Sequence, residues 1–98
     1  MSAILQKFSE ASNLVSFSQK QMRNRVYDAY FNYLEDVKSD ELPEKIRIIF
    51  DSVKLRLIST MPYGHIDNCD AAHVAEDIHY LAGFMRMHCS RTYLFPSY

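Results

Sequence analysis

Hydrophobic positions recur along the chain at spacings of three and four, the repeat of one face of a helix. Ile4, Leu5, Phe8, Ala11, Leu14 and Val15 predict a first helix over about Ser2 to Val15. The stretch Ser16-Phe17-Ser18-Gln19 offers a break, with capping-box spacing between Ser16 and Gln19 and Ser18 as another cap. A second helix is predicted from about Phe17 to Lys38. It carries one stripe of Met22, Val26, Ala29, Tyr33 and Val37 and an adjacent stripe of Tyr27, Tyr30 and Leu34. Together these cover more of the helix than one packing neighbour needs.

A third helix is predicted from about Leu42 to Thr60, with Asp40 as cap and Pro43 in the first turn. Ile46, Ile49, Phe50, Val53, Leu57 and Ile58 form its buried stripe. Pro62 and Gly64 break the chain before a fourth helix over about Asn68 to Arg91, for which Asp67, Asn68 and Asp70 are competent caps. Its stripe is Ala71, Val74, Ile78, Leu81, Ala82 and Met85, and the interior Gly83 is the mark of a close helix approach. The aromatic tail Thr92–Tyr98 is expected to pack back on the rest. Four amphipathic helices with short connections predict an all-α, up-down-up-down four-helix bundle.

Length makes this one domain, residues 1–98, with no room for a Rossmann fold or a TIM barrel. Apolar residues are 48% and charged residues 23%, and the formal charge is −1, so no global field draws the chain to DNA or to an anionic membrane. Lys7 and Glu10 interrupt the apolar residues at the start, so neither a signal-peptide core nor a membrane span is expected. Cys69 and Cys89 on one helix would stand ~30 Å apart, too far for a disulfide. Free thiols suit a reducing, cytoplasmic setting.

Candidate chemistry is sparse. His65, Cys69, His73 and Asp77 repeat every fourth residue and are all metal-ligand types. Each step of four overshoots a turn by ~40°, so one ion cannot hold the set. At most an adjacent pair such as His73 and Asp77 could ligate with help from another helix. The histidines near Cys69 and Cys89 lack the turns and glycine-rich loops of a nucleophile site, and two glycines leave no phosphate-cradling loop. No catalytic residue and no cofactor is assigned. Lys20, Arg23 and Arg25 with Gln19, Gln21 and Asn24 could begin a DNA-reading helix, but the chain has no extended basic surface to support it.

The strongest feature is an acidic, aromatic stretch. Between Asp28 and Glu44 stand six acids (Asp28, Glu35, Asp36, Asp40, Glu41 and Glu44) against the single base Lys38, interleaved with Tyr27, Tyr30, Phe31 and Tyr33. Segment three has the opposite sign, with Lys45, Arg47, Lys54 and Arg56 against Asp51. Rings with polar tips beside acids have the composition of a binding face for a basic partner. Tyr27, Tyr30, Phe31, Glu35, Asp36, Asp40 and Glu41 are the expected partner-binding residues. The expected function is that of a non-enzymatic inhibitor, immunity protein or antitoxin covering a basic, nuclease-like toxin. A small DNA-binding regulator and a metal-binding bundle are the alternatives, and a homodimer through segment two would bury the same rings.

Overall fold

In a computed structural model describing residues 3–61 and 65–94, with side chains through residue 89, the chain is all-helical. The helices are α1 (Ala3–Phe17), α2 (Met22–Ala29), α3 (Glu44–Ser59) and α4 (Asn68–Leu94). A π-helical turn, Tyr30–Leu34, continues α2, and a 3₁₀ turn, Ser39–Glu41, precedes α3.

Side-chain contacts fix the directions. Lys7 reaches Asp36 while Arg25 reaches the Val15 carbonyl, so α1 and α2 run antiparallel. The chain enters α3 from the far end of the π turn, and Thr60 at the end of α3 comes back to Tyr27 of α2, so α3 returns antiparallel to α2. Ile66, just ahead of α4, meets Tyr27 at that same end, so α4 runs back along α3. The up-down-up-down order therefore follows from pairwise contacts.

The core lies between all four helices. Phe8, Ala11 and Val15 from α1 join Ile46, Phe50, Val53 and Leu57 from α3 and Ala71, Val74, Ile78, Leu81 and Ala82 from α4. Phe8 and Phe50 cross edge to face at 5.9 Å, a favoured aromatic geometry. No polar or charged residue is buried as a whole among the described residues.

Several expectations are corrected. The second helix is not one regular helix to Lys38. The π turn lets both of its stripes point inward, burying Val26, Ala29 and Val37 together with Tyr27, Tyr30 and Leu34, while Tyr33 turns half outward. Neither Ser16 nor Ser18 caps α2. Gln21 holds the cap position without a side-chain bond, and Ser18 Oγ instead accepts the Lys20 N–H at 3.2 Å. Asp40 sits in the 3₁₀ turn and does not cap α3, which Pro43 precedes directly. Asp67 is the cap of α4, its Oδ1 accepting the Asp70 N–H at 2.7 Å. Ile58, expected in the core, is 47% exposed, and Ile49 is only half-buried. A Cβ added at Gly83 would meet nothing within 4 Å, so this glycine marks no close helix approach. Residues 92–94 continue α4, whereas Phe95–Tyr98, the rest of the expected packed tail, lie outside the described residues.

Candidate functional site

The acidic, aromatic stretch runs from the end of α2 through the π turn and the 3₁₀ turn to the first residue of α3. Its rings divide in two. Tyr27 and Tyr30 are fully buried, so their expected place on a binding surface is corrected. Tyr27 is held inside because its polar tip has partners there. The hydroxyl bonds to the Thr60 side chain and carbonyl and accepts the Ile66 N–H at 3.2 Å. A buried phenol with its hydroxyl satisfied is a good core residue. Burial pushes the Tyr30 phenol above its ordinary value, and the charge of Glu35 pushes it the same way.

Phe31 and Tyr33 remain half-buried at the surface. Phe31 lies parallel to Tyr27 at 6.5 Å and edge-on to Tyr30 at 5.1 Å, so its ring is braced from two sides. Tyr33 lines a shallow open groove with Ala3, Gln6, Lys7 and Glu10 of α1. Periodicity counts Tyr33 as core. The π turn, which no spacing rule announces, swaps its role with that of Tyr30.

Glu35, Asp36, Asp40 and Glu41 are all exposed. Asp36 takes both carboxylate oxygens to Lys7 Nζ, each at 2.9 Å. That hydrogen bond, opposed by desolvation and aided by the lysine charge, holds the Asp36 carboxyl below its ordinary value. Glu41 turns back on its own turn, its Oε1 accepting the Lys38 N–H at 3.0 Å. Asp28 is half-buried and paired with Lys20 at 2.8 Å. Internal pairing thus reduces the acidic field, and among the described residues Glu35, Asp40, Glu41 and Glu44 have no ion pair.

The basic group at the start of α2 is also largely engaged. Lys20 holds Asp28, and the Arg25 guanidinium donates to the carbonyls of Lys20 at 2.6 Å and Val15 at 3.2 Å, closing the end of α1. Among the described residues Arg23 has no such bond. The helix it stands on is eight residues long.

The His/Cys repeat does not converge. His65, Cys69 and His73 are exposed and Asp77 is half-buried, strung along the outward side of α4 and its lead-in. Among the described residues no three His, Cys, Asp or Glu side chains group as a metal would require. His79 Nδ1 is instead hydrogen-bonded to Ser12 Oγ at 2.6 Å, linking α4 to α1. The His88 ring stacks on Phe84. Cys69 and Cys89 are free thiols. Among the described residues no helix is long and apolar enough to cross a membrane. No family model, no curated protein and no solved structure matches the chain.

Proposed function

We propose that this protein is a non-enzymatic binding protein, an inhibitor of the immunity-protein or antitoxin kind that covers a basic, nuclease-like effector. The observation that carries the proposal is the exposed acidic rim Glu35, Asp36, Asp40 and Glu41, set beside the half-buried rings of Phe31 and Tyr33. Rings braced by the core lose little freedom on binding, and a rim of one sign accelerates capture of the opposite sign. The free thiols Cys69 and Cys89 fit a cytoplasmic setting.

The test is capture of partners from lysate of the producing cell at low salt, with the wild type and a Glu35→Lys/Asp36→Lys/Asp40→Lys/Glu41→Lys variant side by side. A stoichiometric basic protein held by the wild type, released by salt and lost from the variant, is the expected result. Identical partners on both baits, or none on either, would overturn the proposal.

A further inference from the structure

Helix α3 is apolar on two opposite sides. One side enters the core through Ile46, Phe50, Val53 and Leu57. The other carries Ile48, Leu55 and Ile58, which are 80%, 68% and 47% exposed. Three branched aliphatic side chains along one solvent-facing stripe of a 16-residue helix are costly to leave in water. Between them, Asp51, Lys54, Leu55 and Ile58 line a shallow cleft. Their spacing of three, four and seven is that of a hole which receives one side chain from a facing helix.

The stripe is self-complementary. Ile48 and Ile58 flank Val53 symmetrically, and so do Asp51 and Leu55. A second α3 laid antiparallel across the stripe, about a two-fold axis beside Val53, sets Ile48 against Ile58 and Leu55 against Asp51 in both directions. Each Asp51 then enters the other copy's cleft, where that copy's Lys54 stands. Asp51 and Lys54 are both exposed, and neither makes an ion pair or side-chain hydrogen bond among the described residues. Antiparallel pairing supplies each with a partner, twice over, as an isologous interface requires.

We infer that the outer face of α3 is a homodimer interface, with a second copy of the chain packed antiparallel along Ile48, Leu55 and Ile58 and fixed in register by reciprocal Asp51–Lys54 pairs. The face is separate from the acidic rim and stands or falls independently of it. One helix about 24 Å long buries less per partner than the roughly 800 Å² of a standard stable interface. The dimer is therefore a weak one that forms with rising concentration.

Sedimentation of the purified full chain from about 10 µM to 1 mM reads this directly, and a monomer–dimer equilibrium is expected across that range. Leu55→Lys, at an exposed position that leaves the core intact, should raise the dimer Kd at least about tenfold. Asp51→Lys and Lys54→Asp should each weaken the dimer. The combined swap Asp51→Lys/Lys54→Asp should return it to within about threefold of the wild type. In a Cys69→Ser/Cys89→Ser background, Ser52→Cys lies beside the two-fold axis and should cross-link between copies on mild oxidation. Ser59→Cys stands ~18 Å from its mate and should not. A monomer at every concentration, a dimer indifferent to Leu55→Lys, or single charge changes that the swap fails to rescue would each overturn the inference.

Discussion

The backbone N–H of Ile66 donates a 3.2 Å hydrogen bond to the hydroxyl of Tyr27, across thirty-nine positions of sequence. Ile66 is itself fully buried. The same hydroxyl meets the Thr60 carbonyl at 3.0 Å. One phenol therefore ties the end of α3 and the lead-in to α4 onto α2. Tyr27→Phe leaves the ring packed but strands a buried amide. The expected cost is about 1–2 kcal/mol, read from chemical denaturation, with the far-ultraviolet spectrum unchanged.

The Lys7–Asp36 pair gives a sign to acid behaviour. The Asp36 carboxyl titrates below its ordinary value of 3.8 in the folded chain. A lowered folded value contributes stability above the unfolded value, and that contribution is lost as pH falls through the folded one. Asp36→Asn should therefore be less stable than the wild type near neutral pH and should converge with it as pH falls past 3.8 and through the lowered folded value. Thermal melts of both proteins from pH 7 to pH 2.5 check the convergence. The gap at pH 7 should be small and should shrink further in high salt, because the pair is exposed.

Gly83 sits in open space within α4. Gly83→Ala should then stabilise the protein by about 0.5–1 kcal/mol, since nothing opposes the added methyl group and the unfolded chain loses freedom. A raised melting temperature confirms this, and a lowered one would show a neighbour that must move.

Arg56 Nη1 is buried without a hydrogen-bond partner among the described residues. An unpaired buried donor is destabilising, whereas an apolar side chain of similar shape can be neutral or better. Arg56→Met should hold or raise the denaturation midpoint by up to about 1 kcal/mol equivalent.

For the partner captured by the acidic rim, the two parts of the face should separate kinetically. Reversing Glu35, Asp36, Asp40 and Glu41 should slow association, with the effect erased by salt. Phe31→Ala and Tyr33→Ala should mainly speed dissociation. Surface plasmon resonance on the immobilised partner separates the two rates.

How much of this was legible before the structure depends on the kind of signal each element carries. The helices containing Phe8, Phe50 and Ile78 follow from three-four periodicity, because a helix must bury one face to be stable in a small bundle. The break at Pro43 follows from proline chemistry. The fate of the tyrosines does not follow, since it turns on where the backbone widens. Tyr30 and Tyr33 have the same composition and similar neighbours, and only the π turn decides which ring meets water. The apolar outer face of α3 was hidden for a related reason. Ile48, Ile49 and Ile58 satisfy a helical pattern whichever of them is chosen as core, and packing against α4 makes the choice. The partners of Lys20, Arg25 and Asp28 were beyond reach as well, because ion pairing depends on distances that spacing along the chain does not set.

The π turn at Tyr30–Leu34 has a consequence for how this protein tolerates change. A π turn holds about one residue more than an α-helical turn and takes up that surplus within the turn itself. Deleting Asn32, an exposed residue within the turn, would let the helix run on regularly while Leu34 keeps its place in the core and Asp36 its place over Lys7. Deleting a residue from the regular part of α2 would instead rotate everything after it by about 100°. The turn can therefore shed a residue while the acidic edge keeps its bearing, a tolerance that the regular helix before it lacks.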